Sequence, residues 1–185
     1  GRYIGPLLES GARVIGYDIS PVAVESVAAT YGAAISAGRL QTVGYSLDAL
    51  TRAVAPGSCD VALLMFGVLG HIRGHAQRVE ALRTVRSLLK PSGRLVVTVP
   101  NRARRFAKEQ AACRDMVAAG LLEEGDILYQ RHDATGSIDM FYHLFTPASF
   151  AELLTSSGFV TQRMVPESVM PERSVLSLPG GAMLD

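Results

Sequence analysis

The sequence has little cysteine, and this limits the kinds of site that it can form. Its 185 residues include two cysteines, Cys59 and Cys113, which lie far apart without paired spacing. A zinc site or a disulfide framework needs more thiols at closer intervals, so the sequence predicts neither, and it indicates no other metal site. We therefore expect a protein of the reducing cytoplasm.

Long apolar runs and an excess of one charge are also absent. No uninterrupted apolar stretch approaches the roughly 20 residues of a membrane-spanning helix, and the N-terminus lacks a basic region followed by an apolar segment. The formal net charge is +1, which is too small to indicate nucleic acid binding by global electrostatics. We expect no membrane partner, and any basic surface has to be local.

The composition and length of the sequence suit one globular domain that spans residues 1–185. The hydrophobic content is 48%, and the chain is long enough to bury a core. No repeat, linker or low-complexity segment interrupts it. Because the chain opens on Gly1, with no initiator methionine and no strand ahead of the first turn, we expect it to be a fragment. No feature indicates an oligomeric state.

The first twenty residues contain the most informative pattern. A glycine-containing turn leads into a helix over residues 3–10, and a buried strand over 13–17 then stops at Asp18. A carboxylate at the end of such a strand can accept hydrogen bonds from the two hydroxyls of a ribose, which points to a nucleoside-bearing ligand. Asp18 could equally cap the helix that follows.

Helices and strands are expected to alternate along the chain, which favours a doubly wound, mostly parallel α/β sheet. The last two strands could form an antiparallel pair at its edge. The strand 60–66 is apolar throughout and should be covered on both faces. Helices are expected at 3–10, 21–31, 48–55, 75–89, 102–118 and 148–156, and strands at 13–17, 38–45, 60–66, 94–99, 127–131, 159–165 and 173–178.

Six segments, in this order, resemble the class I S-adenosylmethionine-dependent methyltransferases. The resemblance covers nearly the whole chain. A nicotinamide-binding doubly wound domain would not account for the lysine-proline-glycine turn or for the phenylalanine-threonine-proline helix. The segments are Gly1-Arg2-Tyr3, the strand ending at Asp18, Asp48-Ala49, Val68-Leu69-Gly70-His71, the LLKPSGRL segment at 88–95, and Phe145-Thr146-Pro147.

The resemblance implies S-adenosylmethionine as the cofactor and a seven-stranded sheet whose first strand would precede Gly1. For that reason we expect the chain as given to bind the cofactor weakly. Asp18 would meet the ribose, Asp48 the adenine amino group and the Ala49 N–H the adenine ring, with residues 1–100 as the cofactor half and 101–185 on the substrate side. The implied cofactor residues are Gly1, Arg2, Tyr3, Asp18, Ile19, Asp48, Ala49, Phe66 and Gly67.

Within this family, residues 125–132 and 141–145 look like the branch that methylates carboxymethyl groups on wobble uridines of tRNA. Arg131 stands where that branch has tryptophan, so a small-molecule acceptor is the alternative. The basic residues after residue 101 could instead be a solvated helix face, and the histidines could be packed core residues. The candidate substrate residues are Arg102, Arg104, Arg105, Arg131, His132, Tyr142 and His143.

His71 is the candidate general base. An oxygen or nitrogen acceptor that carries a proton benefits from a base, whereas a carboxylate acceptor is nucleophilic without one. The alternative is that His71 caps the helix that begins near His75. A second alternative for the whole chain is a non-catalytic protein that uses this fold for interaction.

Overall fold

The computed structural model describes residues 1–133 and 136–166, without the side chains of His132 and Asp133. These residues form two compact units. The first comprises Gly1–Ala55 with residues 163–166, and the second comprises Pro56–Gln162. The division of the chain into a cofactor half, 1–100, and a substrate half, 101–185, concerns function and stays a prediction.

The first unit is a parallel α/β arrangement. Strands β1 and β2 run side by side, with Asp18 opposite Gly44. Ile4, Leu8 and Leu40 form its buried core. Its elements are α1 (Ile4–Glu9), β1 (Val14–Asp18), α2 (Pro21–Thr30), α3 (Gly32–Ser36), β2 (Leu40–Gly44) and α4 (Leu47–Ala53).

The second unit combines a parallel pair of strands, β3 and β4, with an antiparallel hairpin of β5 and β6. Its largest core cluster gathers around Leu69, Leu82 and Phe145. Its elements are β3 (Cys59–Leu64), a 3-10 turn (Val68–His71), α5 (His75–Leu88), β4 (Leu89–Val97), α6 (Ala107–Ala112), α7 (Arg114–Ala118), β5 (Asp126–Asp133), β6 (Gly136–His143) and α8 (Pro147–Ser156).

Local signals in the sequence explain where several helices begin. Ser20 caps α2, since its hydroxyl accepts a hydrogen bond from the Ala23 N–H at 3.4 Å, and proline follows at the first helical position. Thr146 caps α8 through a reciprocal pair of hydrogen bonds with Ser149. The α/β class and the helices near residues 21, 75 and 147 are confirmed.

The strand predicted at 60–66 is β3, but it is not covered on both faces. Val61 is 51% exposed. The strand predicted at 94–99 begins earlier, at Leu89, because a bulge accommodates the proline-glycine turn inside β4: Cys59 lies opposite Leu89, and Val61 lies opposite Arg94.

The single helix predicted over 102–118 is wrong. Asn101 starts a turn by accepting a hydrogen bond from the Ala103 N–H at 2.9 Å, and Phe106 has a left-handed backbone with φ of 60°. Both features interrupt helical hydrogen bonding, so two short helices, α6 and α7, begin only at Ala107.

The antiparallel pair lies elsewhere than predicted. The strand expected at 127–131 is longer, and together with β6 it forms a hairpin that the sequence interpretation missed. Residues 159–165, expected to be a strand, have no strand structure. The strand expected at 173–178 lies outside the described residues. Across the described ranges, no helix combines the length and apolar character needed to cross a bilayer.

Candidate functional site

Asp18 lies at the carboxyl end of β1, where ligands of open α/β sheets bind. Its side chain is exposed, and one carboxylate oxygen, Oδ1, accepts a hydrogen bond from the Ser20 N–H at 2.9 Å. The cap of α2 is Ser20, so the alternative role of Asp18 as the helix cap is wrong. The second oxygen, Oδ2, can therefore accept hydrogen bonds from a ligand.

The neighbouring strand brings a second carboxylate to the same edge of this unit. Because β1 and β2 are parallel, their carboxyl ends lie together, and Asp48 follows β2 in the first turn of α4. Asp48 is exposed. The Ala49 N–H already donates to the Ser46 hydroxyl at 3.1 Å, so it would have to share that hydrogen atom to contact an adenine ring.

The remaining cofactor candidates of this unit differ in their surroundings. Ile19 is 70% exposed directly after Asp18, where an apolar side chain can cover one face of a base. Gly1, Arg2 and Tyr3 form the turn into α1. A side chain at Gly1 would lie 3.1 Å from the Val27 methyl group of α2, so a glycine suits this close approach.

These residues fit a nucleoside-bearing cofactor. An exposed carboxylate with one oxygen available suits a ribose diol, and Ile19 and Asp48 can supply an apolar face and an acceptor for an amino group. Burial and the adjacent Asp18 carboxylate raise the pKa of Tyr17. Tyr17 therefore stays neutral.

In the second unit, Phe66 and Gly67 follow the carboxyl end of β3. Both have left-handed backbones, with φ of 62° and 73°. The Phe66 N–H donates to the Thr98 hydroxyl beyond β4 at 2.7 Å, which holds this unusual turn in place. The Phe66 side chain is 51% exposed.

His71 lies at the end of the 3-10 turn, with a defined hydrogen bond. Its Nδ1 atom is 3.2 Å from the Phe141 carbonyl oxygen of β6. A carbonyl oxygen only accepts, so Nδ1 carries the hydrogen, and Nε2 of the neutral ring can accept a proton. The N-cap of α5 is Gly74 without a side-chain cap, so the expectation that His71 caps this helix is wrong.

Tyr142 lies against the same ring. The His71 and Tyr142 rings stack with centroids 4.5 Å apart and an interplanar angle of 27°. The structure thus brings Tyr142 to Gly67 and His71, two candidates of one turn that lies far earlier in the sequence.

The basic candidates divide into paired and exposed residues. Arg102 donates to Glu124 at 2.7 Å and to Gln110 at 3.4 Å, so its charge is already balanced within the protein. Arg104 and Arg105 are exposed in the turn before α6. Arg131 is also exposed, on β5, whereas the His132 side chain lies outside the described residues.

His143 is buried and paired, as expected if it is a packed core residue and not a substrate contact. Its Nδ1 atom lies 2.6 Å from Asp126 Oδ1. Burial lowers the pKa of His143 and outweighs the opposite effect of Asp126, so the neutral ring donates to the carboxylate. Asp126 also accepts from the Glu123 N–H at 2.9 Å.

Arg78 of α5 completes this network. Its side chain is 1% exposed and pairs with Glu123. Burial raises the pKa of Glu123, but hydrogen bonds from the His75 N–H and from Arg78 outweigh burial and lower it. No local sequence pattern indicates this ion pair, because Glu123 lies 45 residues from Arg78 along the chain.

The network borders a cavity of about 230 Å³. Among the described side chains, Arg78 Nε is a buried polar atom without a hydrogen-bond partner. Glu123, Asp126 and His143 offer three possible metal-ligand atoms within 4.8 Å. Hydrogen bonds already reach both carboxylate oxygens of Glu123, both of Asp126 and Nδ1 of His143, so these atoms belong to a hydrogen-bond network that joins α5 to the hairpin.

Parallel α/β units with a carboxylate at a strand's carboxyl end are typical of α/β proteins that bind nucleoside-bearing ligands. Residues 1–95 match the methyltransferase domain family, and the chain belongs to this family. It is an S-adenosylmethionine-dependent methyltransferase, and S-adenosylmethionine is its cofactor.

Two solved structures share the fold. The CcbJ methyltransferase from Streptomyces caelestis is 19% identical with a TM-score of 0.62, over 85% of this chain and 68% of that chain. The PH0226 protein from Pyrococcus horikoshii OT3 is 16% identical with a TM-score of 0.58, over 84% of this chain and 69% of that chain. At these identities the likeness concerns the fold alone. No curated protein matches the chain.

Proposed function

We propose that this chain transfers the methyl group of S-adenosylmethionine to an oxygen or nitrogen atom of a small molecule. The observation that carries the proposal is the exposed Asp18 carboxylate at the carboxyl end of β1, in a chain of the methyltransferase domain family. The acceptor class and the residue roles are our inference.

The cofactor roles follow from the chemistry of each side chain. Asp18 accepts hydrogen bonds from the ribose hydroxyls, Asp48 accepts from the adenine amino group, and Ile19 covers the ring. Gly1, Arg2, Tyr3 and Ala49 contribute backbone contacts from the same unit. Phe66 and Gly67 remain candidate cofactor residues because of the family resemblance.

The bound cofactor supplies an activated methyl group, so the protein mainly positions and desolvates the reactants. His71 is then the proton acceptor for a hydroxyl or amine, since its Nε2 is available while Nδ1 donates to the Phe141 carbonyl. Arg104, Arg105 and Arg131 contact the acceptor.

A small molecule is favoured over the carboxymethylated wobble uridine of a tRNA by three observations. Arg102 forms an ion pair with Glu124, so one of the basic residues that would bind tRNA phosphates is already neutralised. The net charge of +1 adds no long-range attraction for a polyanion. Arg131, in place of the branch's tryptophan, points the same way.

The dependence of activity on salt concentration distinguishes a tRNA acceptor from a small-molecule acceptor. With a tRNA substrate, Arg104→Ala and Arg105→Ala would lower activity and reduce its dependence on salt concentration, because fewer phosphates would be neutralised. We expect unchanged salt dependence in both variants.

Cofactor binding tests the enzyme interpretation itself. Isothermal titration with S-adenosylmethionine at millimolar concentration should give a binding signal with the wild-type chain and a weaker signal with Asp18→Asn. No signal at that concentration would favour the non-catalytic interaction protein instead.

Three broader expectations are part of the proposal. The chain acts as one methyltransferase domain, its strands belong to a seven-stranded sheet of the family type, and it works in the cytoplasm. The parallel pairs β1–β2 and β3–β4 are compatible with such a sheet.

A further inference from the structure

The hairpin strand β6 contacts the candidate base His71 in two ways at once. The carbonyl group of Phe141 accepts the hydrogen bond from Nδ1 at 3.2 Å, and the ring of the next residue, Tyr142, stacks on the imidazole at 4.5 Å. The first contact determines which nitrogen carries the hydrogen, and the second determines the plane of the ring. Two successive residues of one strand therefore define the state of a side chain 70 residues earlier.

The position of Tyr142 is itself restricted by glycines. A side chain at Gly70 would lie 2.8 Å from Tyr142 Cδ2 and 2.8 Å from the His143 carbonyl oxygen, and a side chain at Gly67 would collide with the Tyr142 hydroxyl. Phe106 meets the ring edge-on from another side, with centroids 5.9 Å apart. The ring is thus packed between the turn after β3 and Phe106, the residue before α6.

We propose that Tyr142 is a positioning residue for proton transfer, and that the Phe141–Tyr142 pair holds His71 with its hydrogen on Nδ1 and with Nε2 available to accept a proton. This inference rests on the proposed function of His71 as the base. In the step itself, the acceptor hydroxyl or amine loses its proton to the Nε2 lone pair as its oxygen or nitrogen bonds to the methyl carbon. The bond between that carbon and sulfur breaks, and the sulfur keeps the electron pair.

The matched variants differ in which ring is lost. Tyr142→Leu removes the ring that contacts His71, and Tyr142→Phe keeps that ring. Tyr129→Leu is the control, because it removes a ring of the same hairpin that packs on Phe106, at 5.4 Å, and belongs to the same core cluster. Loss of hairpin packing is common to both leucine variants, whereas only Tyr142→Leu removes the stack on His71.

Long-range proton–nitrogen NMR of the imidazole reports the tautomer of His71 directly, without cofactor or acceptor. In alkaline buffer we expect the wild type, Tyr142→Phe and Tyr129→Leu to have the hydrogen on Nδ1. Tyr142→Leu should show a mixture of tautomers. A wild-type ring with its hydrogen on Nε2, or the same tautomer in Tyr142→Leu as in the wild type, would overturn the inference.

Kinetics supply the second readout. Tyr142→Leu should lower kcat roughly tenfold with little change in KM, because a misplaced base slows the chemical step more than it weakens binding. Tyr142→Phe should restore kcat. An increase in KM alone would show that Tyr142 contacts the acceptor and does not position the base. If no variant, including the wild type, transfers methyl groups, the proposed function fails, and the NMR result still decides the positioning role.

Discussion

The Tyr142 hydroxyl occupies the space that a side chain of Gly67 would need. Gly67 has a φ of 73°, and any Cβ atom built on it would collide with that hydroxyl. The turn after β3 and the hairpin strand β6 therefore depend on each other, although 75 residues separate the two positions along the chain. Gly67, a candidate cofactor residue in the sequence, therefore also leaves room for the Tyr142 side chain.

Replacing Gly67 with alanine should destabilise the second unit for two reasons. The left-handed backbone costs an L-residue about 1 kcal/mol, and displacing Tyr142 should add roughly 1–3 kcal/mol. Chemical denaturation of Gly67→Ala measures the sum as a fall in the free energy of unfolding.

Gly120→Ala is the matched control for this change. Gly120 has a nearly identical φ of 71°, but a Cβ atom there would meet nothing within 4 Å. Its variant should lose only the backbone contribution, about 1 kcal/mol. Equal losses in the two variants would show that Tyr142 does not occupy the space beside Gly67.

Asp18→Asn should weaken S-adenosylmethionine binding by about ten- to hundredfold, the usual range for loss of hydrogen bonds to a charged acceptor. Asparagine keeps a side-chain oxygen for the Ser20 N–H, so the melting temperature without cofactor should not change. Isothermal titration measures the affinity. The control is Glu25→Gln, which removes an exposed negative charge from α2 and should bind the cofactor as the wild type does. Equal weakening in both variants would mean that the lost charge, and not the position of Asp18, is responsible.

His71→Gln should reduce kcat by about a hundredfold or more when the acceptor carries a proton, as is typical when a general base is removed. KM for S-adenosylmethionine should stay within error, since His71 is not among the proposed cofactor contacts. Steady-state kinetics with the purified acceptor checks this. Unchanged kcat would point to a carboxylate acceptor, which needs no base.

The pH dependence of stability should report the buried His143. Its pKa lies below the ordinary value of 6.5 in the folded protein, so the unfolded chain binds more protons in the window between the two values. The free energy of unfolding should therefore rise with pH across that window and level off above 6.5. The lowered pKa of Glu123 adds a similar rise below its ordinary value of 4.5.

Denaturation at a series of pH values, with His143→Gln and with His75→Gln as the exposed control, isolates this contribution. His143→Gln should lose the rise near 6.5 and should also be less stable, since the Asp126 carboxylate keeps a weaker partner. A wild-type stability that falls as pH rises through this window would contradict the lowered pKa.

Features that depend on neighbouring residues could be predicted from the sequence. The serine-proline and threonine-proline pairs mark the starts of α2 and α8, and the acidic residue after an apolar strand marks Asp18 at the edge of β1. Each of these signals is contained within a few residues, so no knowledge of the tertiary structure is needed.

The features that were missed depend on distant partners. Arg78 is a charged residue of an amphipathic helix, and such residues usually lie on the surface. It is nevertheless buried, because Glu123 forms an ion pair with its guanidinium group. Apolar and polar residues alternate poorly along β5 and β6, so these strands are apparent only once they pair. The stack of Tyr142 on His71 has no local signal at all.

Transfer of a labelled methyl group from S-adenosylmethionine tests the central claim most directly. The wild-type chain would be incubated at millimolar cofactor with bulk tRNA in one reaction and with a cell extract freed of macromolecules in another, alongside Asp18→Asn. We expect label in the small-molecule fraction, and less of it with the variant. Label in tRNA alone, or in neither fraction, would contradict the proposed function.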